Sequence, residues 1–465
     1  MSESLIQKQA DVQGLSTAIL LPSVELFGGP VRKAVGPLTP VVGVGIFTRA
    51  VLTLQRAGIR QLIVLVGPEE DLLKQALAKG PRVTIPVRWM PIREFPLDDP
   101  RTWEALAAEV RGFCLLSGVG GVFSRPLIER LRQDVQEGQA ILVARESGRG
   151  RSRSSNVGSP LPSFDAPAGV GGAVAADLVV LPATLLSAAG QVAGDPGSVP
   201  VRQWLEHAAA DGRVLVLTAG TDPTLWYQEV RTVADLTAAE RKLFSSLKSE
   251  FEGFVDRFFN RKLSRRFTRL FLALGLSPNA ITFVATAIGL AAAAVFGFGT
   301  YTAGVVAALL FQLAAVIDCC DGEVARLTFT ESPFGAWLDI AMDNVVHMAI
   351  FGGIAVGSFV QASGSLQAWV PLVLGAAAVL GNAMSFTLVN RAQKIKQASG
   401  WKTPVNAAWS DFMLKNVASR DFSVVVLVFA LLGKLDWFLW MAAVGSIVFA
   451  LIMVWVVRPS AISRV

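Results

Sequence analysis

The sequence predicts two structural parts, an N-terminal α/β domain followed by an all-α membrane domain with six transmembrane helices. Two observations lead to this prediction. Hydrophobic residues make up 52% of the chain and charged residues only 17%, whereas soluble proteins carry about 25% charged residues. The long apolar runs are confined to residues 277–457, and residues 1–270 have the mixed composition of a globular domain. We therefore expect domains at residues 1–235 and 276–465, joined by a linker at 236–275.

The N-terminal part alternates short apolar runs with amphipathic stretches. The runs Gln61–Val66, Val83–Val87 and Phe113–Leu116 are expected to be strands, and Ile46–Ala57 and Arg125–Asp134 are expected to be helices. This alternation is typical of a Rossmann-like domain, in which helices cover both faces of a mostly parallel sheet.

Six apolar segments of the C-terminal part are candidates to span a membrane, since a spanning helix needs about 20 residues. The segments are 279–297, 302–320, 334–358, 368–390, 421–433 and 436–457. With six spans, the links rich in Lys and Arg fall on one side, and the opposite links carry almost no charge. The positive-inside rule then predicts that both termini face the cytoplasm, with the protein in the inner or plasma membrane.

The segment 247–273, just before the first span, places phenylalanines at near-helical spacing with arginines between them. This pattern favours an amphipathic helix in the headgroup region, with a solvated linker helix as the alternative. A net charge of +6 could also indicate nucleic acid. The basic residues concentrate beside the spans, so membrane lipid is the expected partner and nucleic acid is not.

Four aspartates in the second and third spans are the strongest functional signal. Asp318 and Asp321 are three residues apart, and Asp339 and Asp343 are four apart, so each pair projects from one helix face. The short turn between the two helices lets the four carboxylates converge. An ionisable group costs about 2.5–3.5 kcal/mol at mid-bilayer on insertion scales, so packing alone does not account for four of them. The single Arg326 cannot neutralise them.

Bound divalent cations can neutralise these carboxylates, and hard oxygen ligands favour magnesium, manganese or calcium. A metal held in this way also binds the oxygens of a pyrophosphate and stabilises the charge of a leaving nucleotide. Gly322, Ala325 and Gly335 would let a substrate approach the helix backbones, and Arg326 can pair with phosphate. A buried ion-pair network, or the cation pathway of a transporter, is the alternative explanation.

The spacing of these residues, D-x2-D-G-x2-A-R-x8-G-x3-D-x3-D, resembles the signature of the CDP-alcohol phosphotransferase family. The resemblance implies a homodimer that transfers a phosphoalcohol group from a CDP-linked donor to an alcohol acceptor and releases CMP. It implies a site for two Mg²⁺ or Mn²⁺ ions, held by Asp318, Asp321, Asp339 and Asp343. Asp343 would also be the general base that deprotonates the acceptor hydroxyl.

Further residues are expected to contact the substrates. The resemblance implies contacts with the CDP group for Gly322, Ala325, Arg326 and Gly335. The start of the first span is similar to the family's P-N-x-x-T segment, which places Asn279 and Thr282 near the nucleotide. Arg391 and Arg420 are candidates to bind a phosphorylated acceptor, with ordinary positive-inside anchoring as the alternative.

The N-terminal domain resembles sugar-phosphate nucleotidyltransferases in its order of elements and in the segment that begins at Glu229. Three features depart from that family. Pro22 stands in the place of the Gly-rich phosphate loop, Ser117–Gly121 replaces a metal-binding aspartate, and Glu229 stands where a second one is expected. We therefore expect no nucleotidyl transfer by this domain. Most of the chain is similar to fused inositol-phosphate cytidylyltransferase/di-inositol-phosphate-phosphate synthases, and the similarity is specific only in the membrane half.

Three enzymatic functions stay open. Transfer of a phosphatidyl group from CDP-diacylglycerol to inositol phosphate or glycerol phosphate would make a phospholipid, and the degenerate N-terminal domain favours this version. A di-inositol-phosphate synthase would use CDP-inositol as its donor, and a bifunctional enzyme would also charge the alcohol with CTP. The non-enzymatic alternative is a membrane receptor or a cation carrier.

Overall fold

The computed structural model describes residues 14–22, 35–118, 120–147, 172–191, 201–220, 222–247, 261–363, 367–397 and 422–457. The chain divides into two compact units, unit 1 (Met1–Ser246) and unit 2 (Leu247–Val465). Unit 1 continues past the expected boundary at residue 235, because Val233–Ser246 is one continuous helix with Leu243 and Phe244 buried.

Unit 1 is built on a seven-stranded sheet. The strands of the described residues are β1 (Leu15–Leu20), β2 (Pro40–Val41), β3 (Val44–Gly45), β4 (Gln61–Val66), β5 (Val87–Pro91), β6 (Phe113–Ser117), β7 (Gly121–Phe123), β8 (Ala140–Ser147), β9 (Gly172–Pro182), β10 (Val214–Ala219) and β11 (Tyr227–Glu229). The sheet order is β10-β8-β9-β6-β1-β4-β5, and β2-β3 and β11-β7 form two short antiparallel pairs. Only β9 runs antiparallel to its neighbours in the large sheet, which confirms the mostly parallel sheet.

Helices cover both faces of this sheet. Those of unit 1 are α1 (Ile46–Arg56), α2 (Glu70–Lys79), α3 (Pro100–Glu109), α4 (Arg125–Asp134), α5 (Ala183–Gly190), α6 (Val201–Ala210) and α7 (Val233–Ser246). Side chains alternate between the two faces of a strand. Leu62 and Val64 of β4 therefore enter one apolar core, and Ile63 and Leu65 enter the other. Burial on both faces explains why the central strands are continuous apolar runs.

The strand predicted at Val83–Val87 was wrong in its position, because the structure has β5 at Val87–Pro91. Pro86 has no N–H group to donate to a neighbouring strand. Its carbonyl oxygen accepts the N–H of Leu62, and paired residues begin only with Val87 opposite Leu62. The alternation of apolar residues at Val83–Val87 predicted a strand there, but Pro86 delays the strand pairing until Val87.

Cys114 of β6 provides a test of the unit 1 core. The side chain is fully buried, and burial raises the pKa of its thiol to about 12. Because the thiolate is the reactive form, we predict that iodoacetamide at mildly alkaline pH alkylates Cys114 at least about a hundredfold more slowly in the folded protein than in denaturant. Mass spectrometry of the Cys114 peptide after timed alkylation measures the rate. Equal alkylation rates in the folded protein and in denaturant would contradict the burial of Cys114.

Unit 2 consists of helices. They are α8 (Arg261–Ala273), α9 (Pro278–Phe296), α10 (Tyr301–Thr328), α11 (Pro333–Ala362), α12 (Val370–Gln397), α13 (Phe422–Leu431) and α14 (Leu435–Val456). By length and composition, five helices of the described residues are long and apolar enough to cross a membrane, which indicates an integral membrane protein. The fifth predicted span, at 421–433, corresponds to the shorter apolar helix α13, and residues 398–421 before it lie outside the described part.

The predicted amphipathic segment is helical from Arg261 onward, and its residues 248–260 lie outside the described part. On this helix, α8, Ser264, Thr268 and Phe271 are buried, whereas Arg266 and Arg269 are exposed. The described part of α8 therefore has one buried face and one charged face.

Two glycines bring α11 into backbone contact with α9. A Cβ atom at Gly353 would lie 2.1 Å from the carbonyl oxygen of Ala293, and one at Gly357 would lie 2.2 Å from that of Phe296. Small residues permit such close approach of membrane helices. This contact sets the distance between α9 and α11, which both contribute residues to the site described next.

Candidate active site

A four-residue turn joins the two helices that carry the aspartates. Helix α10 ends at Thr328 and is followed by Phe329, which has the left-handed conformation with φ of 61°, a conformation that is uncommon for residues other than glycine. Ser332 then caps α11, because its Oγ accepts the N–H of Gly335 at 3.0 Å, and Pro333 follows at the first helical position. The cap and the proline start α11 immediately after the turn, and both α10 and α11 pack against α9.

Three of the four predicted metal ligands come together across these helices. One carboxylate oxygen each of Asp318, Asp321 and Asp339 lies within 4.8 Å of the other two. Asp318 and Asp321 are buried, and Asp339 is half-buried. Such a set of hard oxygen ligands fits a divalent cation such as Mg²⁺ or Mn²⁺. Asp343 lies one turn beyond Asp339 and is not in this group, so its share in metal binding stays a prediction.

A threonine of the first span orients one of these carboxylates. Thr282 Oγ1 donates a hydrogen bond to Asp321 Oδ2, and the backbone N–H of Gly322 donates to Asp321 Oδ1. Thr286, one turn further along α9, donates its hydroxyl to the carbonyl oxygen of Thr282 at 2.8 Å. Outer hydrogen bonds of this kind fix the direction of a metal ligand.

A cleft opens beside the aspartates. Its lining residues are Pro278, Asn279, Thr282, Asp321, Gly322, Ala325, Arg326, Thr330, Glu331, Ser332, Gly335, Ala336 and Asp339. All six residues predicted to contact CDP are therefore at this cleft. A Cβ atom at Gly335 would lie 3.4 Å from Asn279 Oδ1, and one at Gly322 would lie 3.3 Å from Arg326 Nη1. Both glycines thus keep space open between the polar side chains.

The turn contributes two residues to the cleft that no sequence pattern indicated. Thr330 and Glu331 line the cleft from the link between α10 and α11. Of the two candidate acceptor residues, Arg391 is exposed towards the end of α12 and is not a lining residue. Arg420 lies outside the described residues.

In unit 1, the position of the expected metal ligand is occupied by an ion-pair network. Glu229 Oε2 lies 2.5 Å from Arg145 Nη2, and Glu229 Oε1 lies 2.5 Å from Arg231 Nε. Burial, together with the positive charge of Arg145, lowers the pKa of nearby Lys242. Both oxygens of Glu229 are thus engaged by guanidinium groups, and these residues do not fit a divalent metal. The segment 23–34, which would hold a phosphate loop, lies outside the described residues.

Residues 275–462 match the family model described as CDP-alcohol phosphatidyltransferase. This segment belongs to the CDP-alcohol phosphatidyltransferase family. The aspartate motif and the cleft therefore lie within its transferase domain.

Relatives match different lengths of the chain. The "Bifunctional IPC transferase and DIPP synthase" of Rubrobacter xylanophilus is 27% identical over 375 residues, covering 74% of this chain and 78% of that protein. This match is longer than unit 2, so it extends into unit 1. The protein of the same name from Aquifex aeolicus is 31% identical over 146 residues, covering 31% of this chain and 32% of the relative. The "Phosphatidylinositol phosphate synthase" of Streptomyces avermitilis is 34% identical over 110 residues, covering 23% of this chain and 43% of the relative.

Two threonines of α9 allow a matched test of the metal site. We predict that Thr282→Val weakens Mn²⁺ binding about tenfold, because it removes the hydroxyl that orients Asp321, as losses of outer hydrogen bonds to metal ligands do. Thr286→Val, which removes a buried hydroxyl bonded to backbone, is the control and should bind Mn²⁺ normally. Calorimetric titration of the purified protein with Mn²⁺ measures both affinities. Equal affinities in the two variants would show that Thr282 does not support the site.

Proposed function

We propose that the transferase domain moves a phosphoalcohol group from a CDP-linked donor to an alcohol acceptor and releases CMP. The observation that supports this most directly is the meeting of Asp318, Asp321 and Asp339 beside a cleft lined by the small residues and the arginine of the motif. A pyrophosphate linkage placed there would have metal ligands on one side and a guanidinium group on the other.

In the proposed mechanism, the donor's pyrophosphate enters where Gly322 and Gly335 leave space, and Arg326 pairs with its phosphate oxygens. A divalent metal, when bound by the aspartates, supplies charge stabilisation for the phosphate oxygens. Asp343 accepts the proton of the acceptor hydroxyl. The acceptor oxygen then forms a bond to the phosphorus next to the donor alcohol, and the bond from that phosphorus to the oxygen of CMP breaks.

For the donor, we propose CDP-diacylglycerol, and for the acceptor, inositol phosphate or glycerol phosphate, so that the product is a phospholipid. The ion pairs of Glu229 support this choice. Unit 1 would need a metal ligand to make a soluble CDP-linked donor, and two arginines engage Glu229 where that ligand is expected. The similarity to a phosphatidylinositol phosphate synthase agrees with it.

The second candidate is a di-inositol-phosphate synthase that uses CDP-inositol, alone or together with cytidylyl transfer by unit 1. It is favoured by the match to the Rubrobacter protein, which extends over both units and carries the name of a bifunctional enzyme. The two candidates share the metal site and the release of CMP and differ in the donor.

We also propose that the enzyme is a homodimer whose termini and cleft face the cytoplasm. The distribution of Lys and Arg among the links supports this orientation. Exposed arginines on one face of α8 support a position of that helix at the lipid headgroups.

CMP release tests the reaction. Detergent-purified protein with Mg²⁺ or Mn²⁺ should release CMP from CDP-diacylglycerol with inositol phosphate or glycerol phosphate, and the active pair names the product. Asp343→Asn should lower kcat about a hundredfold or more, as expected for the loss of a general base. Asp436→Asn, which changes an exposed carboxylate at the start of α14, is the control. Release only from CDP-inositol would support the second candidate, and no release from either donor would refute both.

Pyrophosphate release tests unit 1 separately. The full-length Asp321→Asn variant, in which the transferase site is impaired, is incubated with CTP, inositol phosphate and Mg²⁺. We expect no pyrophosphate beyond the level without protein, because arginines engage both oxygens of Glu229. Pyrophosphate release that Glu229→Gln abolishes would contradict this expectation and would establish a bifunctional enzyme.

A further inference from the structure

Glu323 is a buried carboxylate within the aspartate motif, at one of the motif's variable positions. Only 5% of its surface is exposed. Its two oxygens accept hydrogen bonds from two hydroxyl groups of α8, Ser264 Oγ at 3.1 Å and Thr268 Oγ1 at 2.7 Å. Both hydroxyl-bearing residues are fully buried. We refer to Glu323, Ser264 and Thr268 as the Glu323 clasp.

The clasp holds a side of α10 that is different from the side of Asp321, which lines the cleft. Successive residues of an α-helix are about 100° apart, so Glu323 lies about 200° from Asp321 around the helix axis. Asp321 and Arg326 line the cleft. Val324, next to Glu323, belongs instead to an apolar cluster that includes Phe271 of α8. The motif helix is therefore held on one side by α8 and open to the cleft on the other.

Packing alone does not require a carboxylate at this place. Burying a charged group costs free energy unless hydrogen bonds satisfy it, and apolar residues of similar volume often replace buried ionic clusters without loss of stability. Hydrogen bonds have preferred lengths and directions, whereas apolar contacts do not. Two hydroxyl contacts to one carboxylate therefore restrict the rotation of α10 against α8, and that rotation determines where Asp321 and Arg326 point.

We propose that Glu323 is a positioning residue, which acts through the clasp to direct the metal-binding and phosphate-facing side chains of α10 into the cleft. It contacts neither the metal nor the substrate. Its effect on turnover rests on the proposed function, whereas its effect on metal binding does not. Amphipathic helix α8 is then a structural part of the active site and not only a link between the units.

The test compares Glu323→Leu with Glu323→Gln. Leucine removes both hydrogen bonds, whereas glutamine keeps both, since its carbonyl oxygen accepts from one hydroxyl and its amide group donates to the other. The probe is Mn²⁺ alone, and its binding to the purified full-length protein is followed by electron paramagnetic resonance of the free ion. We expect Glu323→Leu to weaken Mn²⁺ binding about tenfold, the usual size of such an outer-contact loss, and Glu323→Gln to bind like the unmodified protein. The value of kcat for CMP release should follow the same order.

Ser385→Ala is the matched control, because Ser385 is a buried serine of unit 2 whose hydroxyl donates to the carbonyl oxygen of Gly381 on its own helix. The paired variant Ser264→Ala with Thr268→Val should reproduce the loss of Mn²⁺ binding from the α8 side. If Glu323→Leu does not fold, the Mn²⁺ affinity of the paired variant tests the proposal in its place.

Normal Mn²⁺ binding in folded Glu323→Leu, or in the paired variant, would overturn the proposal. An equal loss in Glu323→Gln would overturn it too, because the charge and not the hydrogen-bonded geometry would then matter. If the unmodified protein binds Mn²⁺ but releases no CMP, the proposed function is refuted. The Mn²⁺ affinities of the variants then still test the role of the Glu323 clasp.

Discussion

Three aspartate carboxylates within 4.8 Å of one another are the constraint on which the transferase domain depends. Like charges repel strongly where little water screens them, so the surrounding helices must hold these groups together. The glycine contacts between α9 and α11 and the capped turn after Phe329 do so by fixing backbone positions. The hydrogen bond from Thr282 fixes the direction of one carboxylate. The same contacts leave a cleft, so the metal site and the substrate site arise from one arrangement of helices.

In unit 1, by contrast, a carboxylate is held in ion pairs with arginines. Glu229 lies at the end of a short strand, and Arg145 and Arg231 neutralise it from two sides. A cation that bound Glu229 would have to displace both guanidinium groups and would bring like charge close to them. In the transferase domain, Asp321 instead accepts hydrogen bonds from the hydroxyl of Thr282 and the backbone N–H of Gly322. Whether a carboxylate can take a metal therefore depends on its neighbours and not on its position in a sequence pattern.

The fold class could be predicted from the sequence because apolar periodicity differs between the central strands and the long helices. The strand at Val83–Val87 could not, since Pro86 delays its pairing. In the site, spacing along a helix encodes direction, so the motif predicted that Gly322 and Arg326 would line the cleft. The contribution of Glu331 depends on the turn at Phe329, which no helical pattern encodes. The partners of Glu323 are 55 and 59 residues away and cannot be inferred from local spacing.

Hydropathy alone does not indicate how far the helices of the site extend. The apolar window of the second span ends near residue 320, but α10 continues to Thr328. A helix needs backbone hydrogen bonds and packing, and neither requires an apolar side chain at every position. Its polar extension carries Gly322 and Arg326 towards the cleft and Glu323 towards α8. The phenylalanine and arginine pattern of α8 indicated a surface helix, yet buried Ser264 and Thr268 attach it to this extension. Polar residues on the buried face of an amphipathic helix are therefore the ones to examine for a role in the neighbouring site.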